Sequence, residues 1–373
     1  MKKVIRSVHQ YIKDTDKILW LLCIACSAMS VITLCSQMFY GFITSKVVIT
    51  QSLATGIGIV MAIIISKMDY HIGATFWKWH VVLCVGLVLA TFIFGIQNPG
   101  ADDKAWLPLP FGMTLQPTEL LKLSFIFTFG MHLESVGENI NQYKNVLLLC
   151  LHGIAPVGLV VLQGDDGTAL SFVVIFLAML FSAGISWRYV AAGFVAAGVG
   201  IPILWNFVMS ENQKQRFLIL ADLSADAKNI GYQQSQGLIA IGTGQTFGTG
   251  LFSNVVPREV PYARNDFIFS YIGQTLGFVG CLLVIAVLLA VTGKVLATAG
   301  RSADRLGYFL CVGIFAILLF QILANIGMCL GIMPVIGLTL PFLSAGGTSV
   351  IMLYMAIGLV LSVYMNNKQE IFS

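Results

Sequence analysis

The stretch "LLVIAVLLAVTGKVLA", residues 282–297, has Lys294 as its only charge, and "ILWLLCIACSAMSVITLC", residues 18–35, has none. Runs of this kind approach or reach the roughly 18 to 20 apolar residues that cross the hydrocarbon core of a bilayer. Similar runs recur at about 18–36, 49–66, 79–96, 117–134, 145–162, 168–185, 188–208, 267–296, 306–331 and 347–366. Gly and Pro interrupt several of them, which spanning helices tolerate. The whole chain of 373 residues is 57% hydrophobic and only 10% charged, where a soluble domain carries about 25% charged residues. Its mean hydropathy is +0.87. The sequence therefore predicts an all-α polytopic membrane protein, one integral domain over 1–373, with about ten transmembrane helices.

The first 17 residues, "MKKVIRSVHQYIKDTDK", are basic and amphipathic. They lead into an apolar run long enough to span and show no small-residue cleavage site, so a cytoplasmic surface segment is expected in place of a removed signal. All eight cysteines lie inside or at the ends of apolar runs. Cys23 and Cys26 form a C-x-x-C with no His or second pair nearby, which favours buried small side chains over a metal or redox site.

Lys and Arg set the orientation. With the N-terminus inside, thirteen of them fall in inner segments, seven in outer segments, and Lys122 inside a helix. Both termini are then cytoplasmic. The net charge of +4 reflects this bias; no basic face suited to nucleic acid is visible. The longest polar insert, 209–266, becomes an extracytoplasmic loop between helices 7 and 8. Loops of that length are commonly functional. Within it, "QQSQGLIAIG" (233–242) reads as a short amphipathic helix on the outer surface. Gly242, Gly244, Gly248 and Gly250 read either as a turn exposing N–H groups to a phosphate or as ordinary loop flexibility.

Ionisable residues in a spanning helix cost roughly 2.5 to 3.5 kcal/mol near its centre and point to function. "LQPTELLKL" (115–123) holds two. Pro117 suits a first helical turn, Glu119 complements the helix dipole there, and Lys122 three residues on shares its face. Asp165, in "LQGDDGTALSF" (162–172), starts the sixth span at the same expected depth. A Glu119–Lys122–Asp165 cluster is predicted, either bracing the bundle or forming a cavity floor. Further on, Pro334, Gly337, Pro341, Gly346 and Gly347 break the helix before Ser349. Irregular backbone at membrane depth needs protein or a water-filled cavity around it, so a cleft is expected there. Asp266, in "RNDFIFSY" (264–271), reads on its own as a helix N-cap.

Taken together, these stretches resemble the SEDS family (RodA, FtsW and SpoVE). "QPTELLKL" is similar to its Q-P-S-E-x-x-K-L, and "LQGDDGTAL" to its Q-P-D-x-G-T-A. "QRFLIL" followed by "GYQQSQGLIAIGTGQTFGTGL" resembles the family's loop pattern, and "NDFIFSYIGQTLGFVG" its H-T-D-F-I-F-x-x-I-G-E-E-L-G-x-x-G. "NIGMCLGIMPVIGLTLPFLSAGGTS" resembles N-I-G-M through S-Y-G-G-S-S. The five matches occur in family order and cover most of residues 100–366.

The resemblance implies a peptidoglycan glycosyltransferase that polymerises lipid II at the outer face of the cytoplasmic membrane beside a class B penicillin-binding protein. It implies that Asp266 is the essential acid, acting as general base or as ligand to a divalent cation, Mg2+ or Mn2+. Arg216, Arg264, Lys122, Glu119, Asp165, Ser344 and Ser349 are the implied substrate-binding residues. The chain departs from the pattern at Arg264-Asn265 (for H-T), Gln274-Thr275 (for two acids), Gly164 (for Pro) and Ala345 (for Tyr). The two missing acids bear on metal use. A transporter of lipid-linked sugar and a non-catalytic scaffold for the transpeptidase are the competing readings.

Overall fold

A lipid environment offers the backbone no hydrogen bonds, so apolar runs of spanning length satisfy it internally as helices. The computed structural model describes residues 9–97, 104–108, 114–220 and 230–370. In chain order the helices are α1 (Lys17–Phe39), α2 (Ser45–Lys67), α3 (Tyr70–Thr75), α4 (Trp77–Phe94), α5 (Pro117–Val136), α6 (Tyr143–Gln163), α7 (Asp166–Ser182), α8 (Trp187–Ile203), α9 (Glu211–Leu218), α10 (Ile230–Thr243), α11 (Ile268–Ala299), α12 (Arg305–Cys329) and α13 (Gly347–Glu370). Lys2, Lys3, Arg6 and Lys228, used above for orientation, lie outside the described residues.

Among the described residues eight helices, α1, α2, α4, α6, α8, α11, α12 and α13, are long and apolar enough to cross a membrane. The chain is a multi-pass membrane protein. Two more expected spans are also helices. One is α5, which carries Glu119 and Lys122, and the other is α7, 17 residues long. A two-residue antiparallel ladder, β1 (Leu107–Pro108) with β2 (Thr114–Leu115), precedes α5 and is not foreshadowed by the sequence pattern.

The core gathers around α11, α12 and α13. Val284, Leu288, Val291 and Val295 line one stripe of α11 and are buried, the spacing expected of a helix facing its neighbours on one side. The central helix α12 is buried on most of its surface. In contrast, α8 has no buried residue, and its apolar surface is left largely uncovered by the rest of the bundle. Asp16 caps α1 by accepting from the N–H groups of Ile18 and Leu19, and the same carboxylate pairs with Lys294 at 2.6 Å, tying α1 to α11.

The polar insert does not hang off the bundle. The helix expected over 233–242 exists within α10; one face packs against α11 and α12, and the other leaves Tyr232 and Ile239 exposed. The reason is polar as well as apolar. Gln234 is buried and donates through Nε2 to the carbonyls of Met328 (2.8 Å), in the last turn of α12, and Met333 (3.0 Å), just past its end. Carbonyls at a helix C-terminus have no intrahelical donor, and α10 supplies one.

Candidate active site

Ahead of α11, Tyr262 adopts a positive φ of 56° and turns the chain. The carbonyls of residues 263–266 are then all held by the surrounding elements. The side chain of Gln37 donates to Ala263 at 3.3 Å, the N–H of Ala345 to Arg264 at 2.7 Å, Ser344 Oγ to Asn265 at 2.6 Å, and Asn325 Nδ2 to Asp266 at 2.8 Å. Four consecutive carbonyls are thereby bound by α1, α12 and the 334–346 segment. Asn325 is fully buried and also donates to Leu338 at 2.7 Å. The 343–346 stretch is braced in turn by Ser30 to Leu343 and by Gln51, which donates to the Ser344 carbonyl and accepts from the Gly346 N–H. Irregular backbone at this depth is satisfied by polar side chains from the spanning helices.

This frame forms one wall of a cavity of about 210 Å3. Asp266 lines it, with Arg216, Glu119, Asp165 and Ser349 from the sequence-derived set. Arg216 reaches over from α9 to donate to the Val335 carbonyl at 3.4 Å, so the insert and the 334–346 segment close on each other. Asp165 caps α7, accepting from the Thr168 N–H at 2.9 Å, and Gln116 Nε2 donates to its other oxygen at 2.8 Å. Lys122 sits behind the wall at 1% exposure and pairs with Glu119 at 2.7 Å. The predicted i,i+3 pair is present, and Asp165 feels both charges.

Two candidates are placed differently. Ser344 is buried and does not line the cavity; its hydroxyl donates to Asn265 and accepts from the Leu340 N–H, so it serves the frame. The Arg264 side chain is exposed and is not among the lining residues; its contribution is the carbonyl held by the Ala345 N–H.

Asp266 is half-buried, and among the described residues no donor or cation reaches its carboxylate. Burial alone pushes it up to about 6, since a poorly solvated site disfavours the charged form. The N-cap reading fails on geometry: the residue before α11 is Phe267, and no side-chain cap is made there. The other lining acids are engaged, Glu119 by Lys122, Asp165 by Gln116 and Thr168, and Asp166 by Gln213. Among the described residues no group of three His, Cys, Asp or Glu is placed to hold a metal ion. The donor set suits at most a partly hydrated Mg2+ shared with phosphate oxygens, which needs only one or two carboxylates.

The glycines of the insert do not form a phosphate cradle. The N–H groups of Gly248, Thr249 and Gly250 are bonded to Gly244, Gln274 and Thr275, and those of Phe278 and Val279 to Gln245 and Thr246. The 244–250 loop instead clasps a break in α11 at Gly277, whose φ is 67°. Gly248, with φ of 78°, lies so close that a Cβ would run into the Thr275 carbonyl. The departures Gln274 and Thr275 belong to this clasp and not to the cavity. Gln274 is buried with its amide paired to the Arg258 backbone, donating to the carbonyl at 3.0 Å, and Thr275 donates to Tyr271.

Several polar residues of the site lie outside the sequence-derived set, among them Gln116 and Asp166 in the lining, Gln321 in the same wall, and Asn325 behind it. The last two are amides inside an apolar helix, the same kind of signal that singled out Lys122.

A family model described as cell cycle protein, FtsW/RodA/SpoVE, matches residues 15–369. Peptidoglycan glycosyltransferase MrdB of Escherichia coli K12 is 30% identical over 319 residues, 83% of this chain and 84% of that protein. Stage V sporulation protein E of Bacillus subtilis 168 is 30% identical over 320 residues, 84% of this chain and 85% of that protein. A chain from a peptidoglycan synthase complex, solved for its coordination of polymerization and crosslinking, superposes with a TM-score of 0.81 at 26% identity, covering 95% of this chain and 99% of that one. Rod shape determining protein RodA of Thermus thermophilus shares the fold, with a TM-score of 0.69 at 24% identity over 95% of this chain and 97% of that one.

Proposed function

This chain belongs to the FtsW/RodA/SpoVE cell cycle protein family, and we infer that it is a peptidoglycan glycosyltransferase that polymerises lipid II. The observation carrying the reading is Asp266: a half-buried carboxylate with no donor among the described residues, facing a cavity that also holds Arg216. The name of the Escherichia coli relative supplies the reaction class.

In the reaction, a hydroxyl of the acceptor sugar attacks the anomeric carbon of the lipid-linked donor. The new C–O bond forms as the bond to the undecaprenyl pyrophosphate breaks, and the pyrophosphate leaves with the electron pair. Asp266 takes the hydroxyl proton, a role for which a carboxylate raised toward neutrality is suited. Arg216 meets charge developing on the leaving group. A divalent cation, Mg2+ or Mn2+, would neutralise the same pyrophosphate, and Asp266 would hold it, being the lining acid without a protein donor. Glu119, Asp165 and Ser349 shape the wall; Lys122 holds Glu119 in place through their ion pair.

The Lys and Arg distribution supports a reading with the cavity end outside and both termini in the cytoplasm. A class B penicillin-binding protein is the proposed partner, in keeping with the complex whose chain this one superposes on. The test is polymerisation of lipid II by the purified full chain with such a partner and a divalent cation. Glycan strands from wild type and none from Asp266→Asn are expected. Equal synthesis by Asp266→Asn would overturn the role of the acid, and partner binding without synthesis in either would leave a scaffold.

A further inference from the structure

Two aromatic residues, Trp106 and Tyr262, line the cavity. Trp106 stands just before β1, fixed by its carbonyl, which accepts from the Ile96 N–H at 2.8 Å. Tyr262 forms the turn ahead of Asp266. Trp106 is half-buried and Tyr262 is 38% exposed, so both remain accessible to a ligand. Neither belongs to the apolar core. Among the described residues neither ring stacks on another aromatic, and neither the indole N–H nor the phenol hydroxyl has a hydrogen-bond partner.

Tyr262 holds its place against the preference of its backbone. A φ of 56° is an outlier for a bulky side chain, and Gly or Asn reaches it with less strain. The turn itself uses only the Tyr262 carbonyl, which accepts from the N–H groups of Asn265 (2.9 Å) and Phe267 (3.2 Å). Any residue offers a carbonyl. Gln245 and Phe342 also have positive φ, and neither lines the cavity. Strained backbone persists at active sites and ligand clamps. The ring, and not the turn, is what needs a reason.

Position and chemistry narrow the ligand. The two backbone partners of Tyr262 flank the acid, so this residue belongs to the rim that carries Asp266. An aromatic face is electron-rich and repels a pyrophosphate. An isoprenoid chain would pack on the rings but would strip water from Gln116, Glu119, Asp165 and Arg216 in the same wall, a cost without a compensating bond. A sugar suits both surfaces. The C–H groups on one face of its ring pack on an aromatic face, and its hydroxyls reach the polar wall.

We propose that Tyr262 and Trp106 pack against sugar rings of the substrate and orient them toward Asp266. The proposal rests on the glycosyltransferase reading and adds two substrate contacts to it.

The test uses the full chain in nanodiscs, with lipid II and the sugar-free carrier undecaprenyl pyrophosphate as probes. Three quantities are read: the melting temperature alone, its shift with each probe, and kcat and KM for glycan synthesis. Tyr262→Asn suits the positive φ and removes the ring. Its melting temperature is expected to equal or exceed that of wild type, while the lipid II shift falls by at least half and KM rises fivefold or more. Tyr262→Phe keeps the ring and is expected to stay within twofold of wild type in KM. Trp106→Leu is expected to lower the lipid II shift and raise KM in the same direction. The shift given by undecaprenyl pyrophosphate should match wild type in all three. The proposal is overturned if either ring can be removed with lipid II bound and turned over as in wild type. It is also overturned if Tyr262→Asn melts lower, which would make the ring structural, or if the carrier shift falls with the lipid II shift, which would put the rings on the carrier. Failure of the underlying reading looks different, because wild type itself would neither polymerise lipid II nor be shifted by it.

Discussion

Asn325 and Asp266 are joined by one hydrogen bond, 2.8 Å from the Asn325 Nδ2 to the Asp266 carbonyl, and the same nitrogen holds Leu338 at 2.7 Å. A single buried amide thus registers the segment carrying the acid against the segment forming the opposite rim. Asn325→Ala leaves the Leu338 carbonyl unpaired and the Asp266 carbonyl with only the weak Cys329 thiol donor, at a cost of about 1–3 kcal/mol each. A lower melting temperature and a loss of glycan synthesis beyond tenfold are expected. Asn325→Asp should be worse, since an acceptor then faces two acceptors. Wild-type synthesis by the Ala variant would show that the segment is held elsewhere.

The raised Asp266 carboxyl sets a pH dependence for both activity and stability. Its ordinary value is 3.8 and its folded value about 6. Between these the folded protein keeps a proton that the unfolded chain has released, so this contribution favours folding fully below 3.8 and is lost as the pH rises through about 6. Glycan synthesis should rise with pH, with a midpoint near 6. Asp266→Asn should melt higher than wild type above that midpoint and converge with it in acid, while remaining inactive throughout. A stability difference independent of pH would contradict the assignment of the raised value to this group.

Lys122 and Glu119 form a pair at 2.7 Å with the lysine almost wholly enclosed. Removing one partner of a buried pair leaves an uncompensated charge and costs about 3–5 kcal/mol. Glu119→Gln, which strands the enclosed lysine charge, should accordingly be the more damaging variant in thermal unfolding, and combining it with Lys122→Met should regain much of the loss. Additive effects in this double-mutant cycle would show that the two charges do not depend on each other.

Gly248→Ala places a side chain at a φ of 78° and against the Thr275 carbonyl. Strain of this kind costs of order 1–3 kcal/mol, and the clash adds to it. The expected result is a lower melting temperature with unchanged KM for lipid II in whatever protein folds, because the loop clasps α11 and does not touch the cavity. A selective rise in KM would return the loop to the substrate site.

Gln274→Glu restores the acid of the family pattern. In this chain the Gln274 amide donates to the Arg258 carbonyl, and a carboxylate there would face an acceptor. The variant should melt lower at neutral pH and gain no activity. Increased synthesis would place position 274 within the chemistry.

Helices were legible because their apolar runs are long and local: α1, α2 and α11 to α13 fall where composition puts them. The Glu119–Lys122 pair was legible for a similar reason, three residues being one helical turn. Asp266 was singled out by resemblance, since a lone acid before an apolar run otherwise reads as a cap. What stayed hidden depends on partners distant in sequence. The glycines 244–250 acquire their meaning from Gln274 to Val279, α10 from the end of α12, and Ser344 from Asn265. Asn325 lies in the apolar helix α12, and nothing in its periodicity marks it as a brace.

Residues 263 to 266 are gripped by their peptide carbonyls, which every amino acid possesses. Evolution can therefore rewrite the side chains at 263 to 265, as Arg264-Asn265 in place of His-Thr illustrates, without moving the acid beside them. The doorway of the site is free to diversify toward different wall chemistries while its reactive centre stays where it is.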